Sequence, residues 1–397
     1  MLAVSGWSRH NRRVKIVCAS SVLFAREAFE TLGETQVIPD RKISREHLVD
    51  ADVLVVRSKT DVNKDLLADT KVGFVGTATA GFDHMDVRWL DRAHIAWCAA
   101  PGCNANSVAE YVTAAVCRIA HERGLDLEKM TMGVVGVGQV GSRVVKKAEV
   151  LGMRVLQNDP PLAIATQDPV YVSLDRVLEE ADVVTFHVPL TRNGKFPTWH
   201  LCNCHFFEHV RPGCVFINAA RGEIVDTDSL LYALDRHVVS DAVLDTWENE
   251  PLISAELLSK VRIATPHIAG YSFEGRLNGT IAVYNEVCHF FEVEPAWKPD
   301  EAGFPVPPVI ACDARERAYE TVMCEIISSA YDIMKDDTAL RQAVAMMPDA
   351  RGTHFDGLRR SYSARREFTA VRVDLRNAGE KLTDKVRRLG FQVRQAG

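Results

Sequence analysis

Three polar groups stand where apolar runs end, and between them they hold the parts needed to oxidise a hydroxy acid. They are Arg221 in Asn218-Ala-Ala-Arg221-Gly222, Glu250 in Asp245-Thr-Trp-Glu-Asn-Glu250-Pro251, and His267 in Thr265-Pro-His267-Ile-Ala-Gly270. A histidine titrates near neutrality and can take a hydroxyl proton. A carboxylate beside it favours the protonated ring, and an arginine fork binds a carboxylate through two parallel hydrogen bonds. Removing a hydride from a 2-hydroxy acid calls for those three functions together. Taken singly, each residue also has an ordinary structural reading: Arg221 capping a turn, Glu250 on a solvated loop, His267 satisfied in a core. Their shared position at strand ends makes them a candidate site, because parallel strands put all their C-terminal ends on one edge.

A second group supplies a place for the hydride acceptor. Met132-Gly-Val-Val-Gly136-Val-Gly138-Gln-Val-Gly141 reads as a short strand ending in three glycines at dinucleotide-loop spacing, and Ser142 to Leu151 then alternates as a helix does. Gly136 allows the tight turn, Gly138 lets backbone approach a pyrophosphate, and Gly141 packs helix on strand, with the helix N-terminus offering free N–H groups. Asp159 lies 18 residues after Gly141 at the end of the next strand, where a carboxylate accepts both ribose hydroxyls. A 2′-phosphate would meet that charge, and Pro160 and Pro161 follow in place of an arginine, so the pattern predicts NAD as the cofactor.

The elements that must carry these groups can be traced along the chain. Strands are expected at Val14–Ala19, Val53–Val56, Val72–Val75 and Ile95–Cys98, with a helix near Leu23–Leu32, forming one α/β unit. Ser107-Val-Ala-Glu110 reads as a capping box opening a long helix, which places a boundary near Gly102. The glycine-loop unit continues with strands at Val183–Phe186, Cys214–Asn218, Val239–Leu244 and Val261–Ala264, a helix at Asp228–Leu234, and an edge helix at Phe273–Phe291. Glu294 to Pro308 carries Pro295, Pro299, Pro305, Pro307 and Pro308 and reads as a linker. Beyond it, a helix at Arg315–Met334, a strand at Thr369–Val373 and a helix at Glu380–Leu389 predict an appended module whose apolar faces need a partner.

Composition narrows the class. The 397 residues carry 47 Lys and Arg against 53 Asp and Glu, a net charge of −6 that offers no basic surplus for nucleic acid. No apolar run is long enough to span a bilayer. Ten cysteines are scattered, and the polar, basic start from Met1 to Arg13 lacks an apolar signal core, so a disordered tail and a cytoplasmic protein with reduced thiols are expected.

Several runs now resemble one family: Val56-Arg-Ser58, Phe74-Val-Gly-Thr-Ala-Thr-Ala-Gly81, Ala99-Ala-Pro-Gly-Cys-Asn104, Val134-Val-Gly-Val-Gly138, Asn158-Asp-Pro-Pro161, Thr265-Pro-His-Ile-Ala-Gly-Tyr271 and Glu274-Gly275. With them the chain is similar to the D-2-hydroxyacid dehydrogenases, from about Val14 to the C-terminus. The resemblance implies an α/β fold of two doubly wound parallel-sheet domains, a flavodoxin-like substrate domain (14–102, with helix 272–292 packing back) and a Rossmann NAD domain (103–271). A small α+β dimerisation domain follows at 309–397, after the 294–308 linker. It implies Arg221 as carboxylate clamp, Glu250 orienting the histidine and His267 as acid/base. Gln139, Val140, Asp159, Ala219, Ala220, Asp245 and Gly270 resemble cofactor contacts, and Ser58, Thr79 and Tyr271 substrate contacts. The expected activity is NAD-dependent oxidation of 4-phospho-D-erythronate to its 2-oxo acid, toward pyridoxal phosphate, by a homodimer. Another hydroxy acid such as phosphoglycerate, or an NADH-binding corepressor role, are the alternatives.

Two further groups carry competing readings. His200-Leu-Cys202-Asn-Cys204-His205, with His209 beyond, has zinc-ligand residue types but no second matched pair, so buried or surface thiols and no metal are expected. Arg359-Arg360 and Arg365-Arg366 read either as a solvated helix face or as a phosphate-binding stretch reaching a dimer partner.

Overall fold

The computed structural model describes residues 13–363 and 365–395; the expected opening tail falls outside these except for Arg13. Two compact units are present, the first built from the chain up to Asn104 plus Glu274–Phe304, the second from Ala105–Phe273 plus the chain from Pro305 on.

The first unit holds β1 (Lys15–Ala19), β2 (Glu34–Ile38), β3 (Val53–Val56), β4 (Phe74–Thr77) and β5 (Ala96–Cys98) in the order β2-β1-β3-β4-β5, all parallel. The apolar run of β3 is buried at every position, as a strand covered on both faces requires. Strand β2 was not expected, because its Glu34 and Gln36 break the apolar signal; it lies at the sheet edge, where polar positions are tolerated. The helix Phe273–Phe290 covers this sheet through Val283, Tyr284, Val287 and Cys288. The Tyr284 hydroxyl accepts from the backbone N–H groups of Ala296 and Trp297 at 3.1 and 2.9 Å, pinning the proline-rich stretch to that helix.

The second unit holds β6 (Thr131–Val135), β7 (Arg154–Asn158), β8 (Val183–Phe186), β9 (Cys214–Asn218), β10 (Val239–Leu244) and β11 (Ile263–Ala264) in one parallel sheet. The order β11-β10-β9-β8-β6-β7 reverses beside β6, and such a reversal opens a crevice at the C-terminal strand ends. The helix Ala105–Arg123 corrects the capping-box expectation. It starts before Ser107, so Ser107 and Glu110 lie inside it, both fully buried, and their side chains turn to other partners.

After Pro305 come β12 (Val309–Asp313), β13 (Arg372–Arg376) and β14 (Gln392–Gln395), three parallel strands alternating with helices. The single helix expected at Arg315–Met334 is two, Tyr319–Ala330 and Ile333–Arg341, because Tyr331 adopts an extended backbone and the Asp332 side chain caps the second. The apolar faces of this segment were expected to need a partner. Instead, Ile310, Val322, Met323, Ile326, Ile327 and Val373 join one core with Val112, Val116 and Ile119 of the Ala105–Arg123 helix and Val144, Ala148 and Leu151 of the helix after the glycine loop. Lys147 donates to the Leu389 carbonyl at 2.8 Å, closing the same contact. No described helix is long and apolar enough to cross a membrane.

Candidate active site

The glycine loop follows β6 and enters the helix Gly141–Leu151. Gly136 has φ +86°, a left-handed conformation that glycine adopts without strain, and a Cβ there would press on the His187 backbone. A Cβ at Gly141 would run into the Gly136 carbonyl, so strand and helix approach as closely as the chain permits. Gly138 is different: a Cβ there would meet nothing within 4 Å. Its backbone therefore faces open space at the end of a helix whose first N–H groups have no partner within the helix, and that fits a pyrophosphate. Gln139 is exposed and Val140 half-buried along the same turn. Asp159 ends β7, and one of its oxygens accepts from Leu162 N–H at 3.0 Å, capping the helix Pro160–Thr166. Its other oxygen accepts from Val137 N–H at 2.9 Å, so the carboxylate expected on the ribose also fixes the loop.

Arg221, Glu250 and His267 follow the ends of β9, β10 and β11, which are neighbours in the sheet. His267 Nδ1 meets Glu250 Oε2 at 2.8 Å, and Glu250 Oε1 accepts from Trp247 N–H at 2.8 Å. With Nδ1–H donating to the carboxylate, the lone pair of the ring sits on Nε2. Burial works to raise the Glu250 pKa, but the His267 charge and hydrogen bond, the Arg359 charge and the Trp247 N–H together outweigh it and hold the carboxyl below its usual range. His267 has φ +54°, a strained conformation for a residue with a Cβ and one that recurs at functional sites.

Buried polar groups hold that conformation. Asp245, 1% exposed, accepts from Thr265 Oγ1 at 2.7 Å, Ile268 N–H at 2.8 Å and Ala269 N–H at 2.9 Å, while its own backbone carbonyl accepts from His267 N–H at 2.7 Å. Asp245 was expected to touch the cofactor; here both its oxygens shape the histidine loop. Trp247 Nε1 donates to the Thr265 carbonyl, and the Tyr111 hydroxyl pairs with Thr265 Oγ1. Arg221 donates to the Ala220 carbonyl at 2.8 Å, and Asn218 bonds both the Arg221 carbonyl and Ala220 N–H. A Cβ at Gly222 would overlap the Trp247 carbonyl, which brings the Arg221 turn against the Glu250 loop. Ala220 is buried, and Ala219 and Gly270 are half-buried on the same edge.

The loop beyond His267 is held from the C-terminal segment, a support that the local sequence does not announce. Ser272 Oγ donates to Glu367 at 2.9 Å, Ser107 Oγ does so at 2.8 Å, and Arg365 pairs with Glu110 at 2.7 Å and donates to the Ser107 carbonyl. The Arg359 guanidinium lies 3.5 Å from the Tyr271 hydroxyl of its own chain, where the sequence had left open an arginine reaching a partner. Ser58 and Thr79 belong to the first unit, just past β3 and β4; Ser58 is exposed, and the Thr79 hydroxyl donates to the Gly81 carbonyl at 2.7 Å. The residues of the rival zinc reading disperse: Cys202 is fully buried, Cys204 meets Ser229, and His200 pairs with Glu248 at 2.7 Å. Only His205 and His209 stay together, with Glu208, as an exposed group.

Residues 104–269 match the family described as D-isomer specific 2-hydroxyacid dehydrogenase, NAD binding domain, and residues 304–390 match a domain of unknown function. The chain is 41% identical over 360 residues to an erythronate-4-phosphate dehydrogenase from Proteus mirabilis, covering 91% of this chain and 94% of that one. It is 39% identical over 362 residues to a protein of the same name from Bacteroides fragilis, covering 91% and 99%. Among solved structures it is similar to D-lactate dehydrogenase from Aquifex aeolicus complexed with NAD and lactic acid, with TM-score 0.59 and 27% identity over 70% of this chain and 95% of that one. A cofactor-bound 3-phosphoglycerate dehydrogenase from Entamoeba histolytica gives TM-score 0.61 and 26% identity over 71% and 96%.

Proposed function

The chain belongs to the D-2-hydroxyacid dehydrogenase family, in the branch of the erythronate-4-phosphate dehydrogenases, and from that premise we propose that it oxidises 4-phospho-D-erythronate to the 2-oxo acid, with NAD as cofactor. The observation that carries the chemistry is the 2.8 Å contact between His267 Nδ1 and Glu250, on the same C-terminal sheet edge as the glycine loop. Glu250 fixes the ring tautomer, so Nε2 accepts the proton of the C2 hydroxyl while the C2–H bond breaks. The carboxylate then stabilises the imidazolium that forms. Arg221 holds the substrate carboxylate, where a fork fixes both position and plane. When bound, NAD supplies the acceptor for the hydride lost from C2.

Gly136, Gly138, Gln139, Val140 and Gly141 would hold the pyrophosphate, Asp159 the ribose, and Ala219, Ala220 and Gly270 the nicotinamide end, with Asp245 acting through the loop it braces. Ser58, Thr79 and Tyr271 are assigned to the substrate. We further propose a cytoplasmic homodimer serving pyridoxal phosphate synthesis. Val306, Val309 and Met347, large apolar side chains left exposed after Pro305, support self-association, and ten scattered cysteines suit a reducing compartment. NADH formation measured over a panel of phosphorylated and plain 2-hydroxy acids tests the reading. 4-Phospho-D-erythronate should give the highest kcat/KM, and a preference for 3-phosphoglycerate or for an unphosphorylated acid would replace it.

A further inference from the structure

Helix Pro348–Ser361 rests on the loop that carries Glu250. A Cβ at Gly352 would lie 3.5 Å from the Pro251 carbonyl and against Leu252, and Phe355, one turn on, is fully buried. Arg359 comes one further turn along the same face, so it too is directed at the site. Its Cζ sits 6.0 Å from the Phe355 ring centroid and its Nη2 3.5 Å from the Tyr271 hydroxyl. Of the nearby arginines, Arg365 pairs with Glu110, Arg366 donates to the Pro305 carbonyl and stacks on Phe273, Arg360 is exposed, and Arg351, two turns before Arg359, is buried with its Nε and Nη1 unbonded. Arg359 has no carboxylate within 4.0 Å among the described residues, and its buried Nε has no hydrogen-bond partner.

Arg359 is half-buried, and the Glu250 and Asp245 charges act on it only from beyond salt-bridge distance, so its guanidinium keeps hydrogen-bonding capacity for an anion that arrives. The substrate proposed above has two anionic ends. Arg221 is assigned to the carboxylate at the reacting carbon, so the phosphate calls for a further cation, for which Arg57 and Lys59 beside Ser58 are the competing candidates. We infer that Arg359 forms the phosphate subsite, supplied by the same chain whose His267 performs the chemistry. The inference rests on the 4-phospho-D-erythronate reading and adds to it the residue that selects the phosphorylated acid. The planar fork can give two hydrogen bonds to one phosphate, and Tyr271 beside it can give a third.

The test compares wild type, Arg359→Gln, Arg359→Lys and the exposed control Arg360→Gln, each with 4-phospho-D-erythronate and with D-erythronate. Loss of a charge-assisted contact should lower kcat/KM for the phosphorylated acid by about 10- to 100-fold, mostly through KM, and lower that for D-erythronate far less, the smaller loss being that of the Arg359 charge on Glu250. Arg359→Lys should recover part of the loss, and Arg360→Gln should behave as wild type. Unchanged NAD affinity and melting temperature confirm that the variants fold. If Arg359→Gln keeps the wild-type preference, the subsite is elsewhere. If both substrates lose kcat equally and the pH profile moves, Arg359 acts on the Glu250–His267 pair instead and the inference is overturned. A wild type without preference for the phosphorylated acid would overturn the substrate reading first, and the subsite with it.

Discussion

The loops that follow β6 and β11 lie on the same edge of one sheet, yet opposite means shape them. The glycine loop is made by omission. Gly136 takes a left-handed backbone, Gly141 closes on the Gly136 carbonyl, and Gly138 leaves open the space a ligand needs. The histidine loop is made by addition: His267 occupies a left-handed backbone despite its side chain, because Asp245, Trp247, Tyr111 and Glu250 hold the chain around it. A loop that only has to admit a cofactor can be written in a few adjacent residues. One that must aim a ring nitrogen draws on residues spread across the unit.

The sharpest way to break this contrast is His267→Ala. Turnover should fall by ~10² or more while NAD affinity, measured by calorimetry, stays close to wild type. Near-normal turnover would remove the histidine loop from the chemistry. Asp245→Asn comes next: with three accepted hydrogen bonds reduced, kcat should drop about 10-fold and NAD affinity should hold within about twofold. A matching rise in the NAD dissociation constant would instead make Asp245 a cofactor contact. The glycines separate shape from access. Gly141→Ala should cost about 1–3 kcal/mol of stability in a denaturant titration, whereas Gly138→Ala should melt as wild type and weaken NAD binding severalfold.

The smallest effect concerns the second tier of support. Asp336 accepts from the hydroxyls of Tyr331 and Tyr362 at 2.9 and 3.0 Å, and the Tyr362 ring packs edge-on against Tyr271 at 5.9 Å. Burial pushes the Asp336 carboxyl up to about 6 against the two hydroxyls, so the folded state holds its proton more tightly than the unfolded chain. Its stabilising contribution is therefore complete below the ordinary carboxylate range and is lost as pH rises through about 6. Asp336→Asn cannot titrate. The melting temperature of wild type relative to this variant should fall across that window, and a constant difference would show that Asp336 ionises as freely folded as unfolded.

What the sequence makes legible follows the same division. Strands β3, β8, β9 and β10 lie where the sequence predicts them, because strands covered on both faces are mainly apolar, although β10 carries the half-buried Ser240 and Asp241. Arg221, Glu250 and His267 are readable because strand polarity alone puts them on one edge. The braces are not readable in that way. Ser107 and Glu110 imitate a helix cap while serving a buried network with Glu367 and Arg365, more than 250 residues away in sequence. Strand β2 is hidden by its polar edge positions, and β14 by Gln392, Arg394 and Gln395 on a strand that is mostly exposed. Spacing along a chain records local geometry, while pairing between distant polar residues leaves no periodic trace.

The way the two units are threaded has a consequence for how the protein is made. The first unit is interrupted by Ala105–Phe273 and resumes at Glu274–Phe304, and the second is interrupted by that same passage. As the chain leaves the ribosome, the β1–β5 sheet lacks the Val283–Cys288 face of its helix until nearly three-quarters of the sequence has been synthesised. The helices behind the glycine loop wait longer still, until Val373 and Leu389 emerge. Both cores thus remain open through most of translation, at a stage when exposed apolar surface invites aggregation and chaperone capture. Folding must be limited by late, long-range closure rather than by local structure. A nascent chain stalled before Pro305 would present the apolar side of the Ala105–Arg123 helix to solvent, so arrest and release experiments should show protease resistance of the first unit arriving before that of the second.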